Sequence, residues 1–116
     1  MYLEFKDLIG KTFSSVVNND NDEIIFTVNE HEKYMLYHAQ DCCESVSVES
    51  IDGDLEDLVG SEIFQAEEVD NIDNDSQGSG TWTYYKLATI KGYVTIRWYG
   101  ESNGYYSESV DFAKVG

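Results

Sequence analysis

No proline occurs in this chain of 116 residues, cysteine occurs only twice, and lysine and arginine together number seven. Each shortage excludes something. Without proline every backbone keeps its N–H, so strands can carry unbroken hydrogen-bond ladders. Nowhere do apolar residues run for the roughly 20 positions that a membrane-spanning helix needs. The opening MYLEFKDLIG lacks the basic flank and long apolar stretch of a signal peptide. With so little cysteine, this points to a reducing, cytoplasmic setting in which thiols stay free.

What the chain has in excess is negative charge. Asp and Glu number 23 against seven Lys and Arg, for a formal net charge of −16. Between Lys33 and Lys86 there is no lysine or arginine, and that interval holds 13 carboxylates from Asp41 to Asp75. Such a chain repels phosphate backbones and anionic lipid, which argues against direct nucleic-acid or membrane binding. It attracts basic protein surfaces, including those that normally hold nucleic acid. Solubility alone is the other use of such acidity. Hydrophobic residues still make up 41% and aromatics 14%, enough for one domain, residues 1–116, with a real core.

An internal echo organises the chain. Phe5-Lys6-Asp7-Leu8-Ile9-Gly10 recurs as Leu55-Glu56-Asp57-Leu58-Val59-Gly60. Each copy reads as a short helix stopped by a glycine at C′, where left-handed geometry is needed. Four strand-like segments follow each copy: 11–17, 23–28, 33–39 and 44–49, then 62–69, 81–90, 92–99 and 105–112. Val94, Ile96 and Trp98 alternate with Thr95, Arg97 and Tyr99, the period of a half-buried strand. Asn103-Gly104 favours a type I′ turn. The expected fold is therefore α+β: mainly antiparallel sheets with two short helices, as two αββββ halves, 1–50 and 51–116. Residues 70–80, polar and glycine-rich, read as a mobile loop.

The chemistry-rich stretch is His38-Ala39-Gln40-Asp41-Cys42-Cys43-Glu44-Ser45-Val46. His38, Cys42 and Cys43 offer zinc ligands, but adjacent cysteines on a strand point to opposite faces and no second cysteine pair exists. A Cys-x-x-Cys redox motif is absent too. The plainer expectation is a strand end, a tight link and a strand start, with Cys42 or Cys43 packing inward ahead of Val46 and Val48. Asp73-Asn74-Asp75-Ser76-Gln77-Gly78 resembles the opening of a calcium loop, yet the twelfth position holds Tyr84 instead of a bidentate glutamate. No phosphate-cradling loop and no nucleophile elbow occurs. Carboxylates are too abundant for any one pair to specify acid–base catalysis. The expectation is a non-enzyme without cofactor.

Aromatics gather near the C-terminus: Trp82, Tyr84, Tyr85, Tyr93, Trp98, Tyr99, Tyr105 and Tyr106. One strand face of these makes core, Trp98 first. The other would set tyrosines beside carboxylates, a combination that anchors and steers a basic partner.

Two long stretches, HAQDCCESVSVESIDGDLEDLVGSEIFQAEEV and YKLATIKGYVTIRWYGESNGYYSESVDF, together with LIGKTFSSV near the start, resemble a family of small acidic proteins of bacteriophage and prophage genomes. The resemblance implies origin rather than activity and carries over no catalytic residue. Phage origin, joined to small size, strong acidity and the lack of an enzymatic motif, leads to the expectation of a cytoplasmic protein of the infected bacterial cell that blocks a host complex, CRISPR effectors among them, by occupying a basic channel as a nucleic-acid mimic. The residues expected to meet that partner are Asp52, Asp54, Glu56, Asp57, Glu67, Glu68 and Asp70 for charge, with Tyr99, Tyr105 and Tyr106 as anchors. The alternatives are a zinc protein built on His38, Cys42 and Cys43, and a structural or accessory phage protein. Exposed strand edges would also let two copies pair as a homodimer.

Overall fold

The computed structural model describes residues 3–73, 79–103 and 106–115. Its elements follow the alternation of apolar and polar residues. A 3-10 turn η1 (Phe5–Leu8) precedes β1 (Ser15–Asn19), β2 (Glu23–Asn29), β3 (Glu32–Tyr37) and β4 (Ser45–Asp52). A second turn, η2 (Leu55–Leu58), precedes β5 (Gln65–Ile72), β6 (Ser79–Thr89), β7 (Gly92–Ser102) and β8 (Asp111–Lys114). Period-two burial is clean in β7, where Val94, Ile96 and Trp98 are buried and their neighbours are not.

The α+β expectation is overturned: the described residues hold no α-helix, and both expected helices are single 3-10 turns of four residues. One turn cannot offset the cost of nucleating an α-helix. Each also ends at once, because Ile9 and Val59 are already extended and Gly10 and Gly60 take positive φ, +93° and +81°. The expected strand at 105–112 shrinks to its last residues, since β8 begins only at Asp111. Strand structure conversely enters the expected loop at 70–80, with β5 running to Ile72 and β6 starting at Ser79.

Two antiparallel four-stranded sheets result, ordered β1-β2-β3-β8 and β4-β7-β6-β5. The fourth strand after each turn has crossed into the other sheet: β4 pairs with β7, and β8 pairs with β3. The two echo segments meet each other between the sheets. Gly10 N–H donates to the Ile63 carbonyl at 2.8 Å, and Gly60 N–H donates to the Phe13 carbonyl at 2.9 Å. Gly60 and Ile63 stand in the second copy where Gly10 and Phe13 stand in the first, so the two bonds are equivalent.

One apolar cluster joins both sheets. Phe5 of η1 touches Phe26 of the first sheet, Tyr85 of the second and Phe112 of β8, at ring separations of 6.2, 4.7 and 5.3 Å. Burying an aromatic of this kind contributes about 1.5–3 kcal/mol. Phe5 thus plugs the sandwich where β5 and β8, both edge strands, leave it open. Among the described residues no helix is long and apolar enough to cross a membrane.

A candidate binding groove between the edge strands

The HAQDCCES stretch folds around a carboxylate. Glu44 shares strand parity with Val46 and Val48, so it points inward and is buried. Its oxygens accept from the Asp41 and Cys42 amides, both at 2.9 Å, and from Gln40 Nε2 at 3.3 Å. His38 Nε2 lies 2.7 Å away, while His38 Nδ1 faces the Ser109 carbonyl at 2.7 Å. The bond from His38, then that from the Cys42 amide, outweigh burial and hold the Glu44 carboxyl at a pKa of about 2. The link therefore ties the end of β3 to the segment before β8.

Three expectations fall here. Neither cysteine packs inward; both are exposed, because Glu44 takes the inward position. The thiols are not free, since Cys42 and Cys43 are joined by a disulfide. Nor do His38, Cys42 and Cys43 form a ligand set, as His38 is engaged by Glu44 and Ser109. Among the described residues no group of three His, Cys, Asp or Glu is placed to hold a metal. Of the calcium-like loop only Asp73 is described, and its carboxylate accepts from the Tyr99 hydroxyl at 2.8 Å. Reduction and alkylation under native conditions should add two adducts per chain and leave the Val48 amide, bonded to the Asn21 carbonyl at 2.8 Å, protected, because neither that bond nor those of Glu44 involve sulfur. Intact mass and hydrogen exchange check this.

The carboxylates expected to act together fall into three places on the second sheet: its β4 edge, its β5 edge and the η2 turn. Asp52 ends β4, and Asp54, Glu56 and Asp57 belong to the η2 turn, whereas Glu67, Glu68 and Asp70 lie on β5. Two strands separate Asp52 from the β5 carboxylates, roughly 14 Å of sheet, whereas η2 packs at the ends of β6 and β7, where Thr89 Oγ1 donates to the Asp57 carbonyl. Several are already occupied. Asp52 pairs with Arg97 at 2.6 Å, Asp54 caps η2 by accepting from the Glu56 amide at 3.0 Å, and Glu67 faces Lys86 across the ladder. Tyr99 lies on the outer sheet face, packed on Trp82 at 4.7 Å. Tyr105 lies outside the described residues.

Glu68, Asp70 and Tyr106 do come together. They line a hollow of about 350 Å³ on the inner side of β5 and β6, roofed by residues 106–110. A second hollow of about 610 Å³ continues from it along β5, between η1 and the start of β8, and the two share Glu68 and Val110. Together they form a groove along the open side of the sandwich. Its carboxylates are Glu4, Glu67, Glu68, Asp70, Glu108 and Asp111, and its one cation, Lys6, is paired with Glu4 at 3.0 Å.

The charges in this groove differ in role. Glu108 clamps the roof: Thr81 Oγ1 donates to it at 2.8 Å and Ser102 Oγ at 2.5 Å. Burial raises its pKa, but the hydroxyl bonds from Ser102, Thr81 and Ser79 prevail and the net shift is downward. Asp111 accepts from the Ala39 amide at 3.3 Å. Glu68 and Asp70 enter no ion pair among the described residues. Behind them, Tyr85 is 0% exposed, and its hydroxyl lies beside the Glu68 carboxylate without meeting a partner at full hydrogen-bond geometry among the described residues. Its ionisation is pushed far up by burial first and then by Glu68, Asp111 and Asp70. The Trp98 indole N–H is also buried without a partner among the described residues.

Sequence reasoning missed Glu44, Tyr85, Glu108 and Asp111. Parity held a signal for two of them. Glu44 is in step with Val46 and Val48, and Glu108 with Val110 and Phe112, which sets a carboxylate on a core-facing row. A family model for a domain of unknown function, DUF7448, matches residues 6–112. The chain belongs to that family. No curated protein and no solved structure matches it. The DUF7448 span takes in β1 to β7 and the first half of β8, the Glu44 knot and every groove residue except Leu3, Glu4 and Phe5.

Proposed function

We propose that this DUF7448 chain is a non-enzymatic acidic binding protein that engages a basic surface of a bacterial nucleic-acid-binding protein. In its most concrete form it is phage-encoded, acts in the cytoplasm of the infected cell, and inhibits a CRISPR effector or similar nuclease as a nucleic-acid mimic. The observation that carries the reading is the net charge of −16. It is supported by a groove whose carboxylates outnumber its cations six to one. At ordinary ionic strength such a field reaches about 8–10 Å and speeds encounter with a basic partner.

The test is capture from bacterial lysate on immobilised protein at low salt, followed by a salt gradient. One dominant basic, nucleic-acid-binding protein is expected, eluting as salt rises and displaced by added DNA or RNA. Capture that is indifferent to salt, or no basic protein retained, overturns the reading. Self-assembly in place of capture would favour a structural phage protein.

A further inference from the structure

We infer that the groove along β5 is a docking site for a basic, extended segment of a partner protein, which adds as a strand to β5 and sets an arginine between Glu68 and Asp70. This rests on the binding reading above and gives it a place. β5 is the last strand of its sheet, so one side of its backbone is unpaired. Strand addition to such an edge takes affinity from main-chain bonds and specificity from alternate side chains. Glu68 and Asp70 are alternate residues on one face, roughly 7 Å apart along the strand, a separation that a planar guanidinium with donors on both sides can bridge.

The occupant's chemistry follows from what the groove rejects. A second copy of this chain would bring Glu67, Glu68 and Asp70 against their own like charges, because β5 carries no cation. Nucleic acid and anionic lipid are refused by the same sign of charge. A basic strand meets no such opposition. The buried hydroxyl of Tyr85 is the second mark of an unfinished site. Buried polar groups are nearly always paired, yet among the described residues this one only approaches the Glu68 carboxylate and meets no partner at full hydrogen-bond geometry. We assign Tyr85 as a positioning residue that holds the Glu68 carboxylate from beneath once a guanidinium draws it inward.

The probe is an acetylated nine-residue peptide alternating arginine with valine and threonine, titrated into the full chain by calorimetry at about 50 mM salt. E68Q/D70N is expected to weaken binding at least about tenfold, while D52N/D54N, across the sheet, leaves it within about threefold. A peptide of equal charge with proline at alternate positions should lose a similar factor, since it cannot complete the ladder. Tyr85→Phe should weaken binding severalfold while raising the melting temperature, a split that a merely structural tyrosine would not show. Equal losses from both carboxylate pairs, or no cost from proline, overturn the groove while lysate capture still upholds the acidic binding protein. No peptide affinity together with no captured basic protein overturns both.

Discussion

Gly100→Val is expected to cost about 3 kcal/mol of stability and to lift residues 106–110 off the second sheet. Gly100 lies in β7 in step with Ile96 and Trp98, so a side chain there would point inward. A Cβ at this position would sit 2.6 Å from the Glu108 carbonyl oxygen, 2.9 Å from Glu108 Cβ and 3.1 Å from Val46 Cγ2. The backbone oxygen cannot yield without the roof segment moving, and the roof is held by the bonds of Thr81 and Ser102 to Glu108. Urea unfolding gives the stability loss, and hydrogen exchange at 107–110 gives the displacement. The same variant should abolish docking of a basic peptide if the roofed groove is the site. A Gly100→Val protein with wild-type stability and a protected roof would show that the close approach is not rigid.

Glu44→Gln should produce the largest local loosening. An amide in place of the carboxylate keeps only one acceptor oxygen, so its donor group must face either the Cys42 amide or the Asp41 amide and His38, and neither orientation keeps all the bonds. Exchange at those two amides should speed by about a hundredfold. The pH dependence has a definite sign. The folded-state pKa of about 2 lies below the ordinary glutamate value of roughly 4.3. The stabilisation is therefore complete above about pH 4.5 and is lost as pH falls toward 2. Glu32 and Glu108 are shifted in the same direction, so wild type has other low-pH losses. The difference between wild type and Glu44→Gln isolates this one: the gap in protection over residues 38–46 should be constant from pH 7 to 5 and close by about pH 2. A gap that stays open at pH 2 would mean that the Glu44 bonds survive protonation.

The two variants mark the ends of one mechanical line. Glu44 ties the β3–β4 link to Ser109 through His38. Glu108, one residue away, ties the same segment to β6 and β7. The short stretch before β8 is thus fastened by two carboxylates, the buried Glu44 and the half-buried Glu108, and this is what keeps an irregular segment in place as the roof of the groove. A fold that spends carboxylates on its own backbone in this way leaves fewer for a partner than the net charge suggests.

Strand positions were legible because period-two alternation needs only neighbours in sequence. Val94, Ile96 and Trp98, or Ile24 and Phe26, declare a buried face whatever lies across from them. The echo of residues 5–10 at 55–60 was legible in the same way, as were its closing glycines. Its helical reading failed because a four-residue apolar pattern fits a 3-10 turn as well as an α-helix, and length decides between them. Which sheet each strand joins was not legible. β4 leaves the meander that precedes it and β8 returns to it, a choice made by what the two apolar faces can cover together.

For the site the division is similar. The amino-acid sequence alone determined the charge, its sign bias between Lys33 and Lys86, and hence the kind of surface that could lie opposite. Only the tertiary structure decided which carboxylates are spent, as at Glu44 with His38, at Asp52 with Arg97 and at Glu108 under the roof, and which enter no ion pair among the described residues, as at Glu68 and Asp70. The reason is that charge is additive along a chain, whereas pairing depends on distances between residues that sequence separates by 6, 45 or 27 positions.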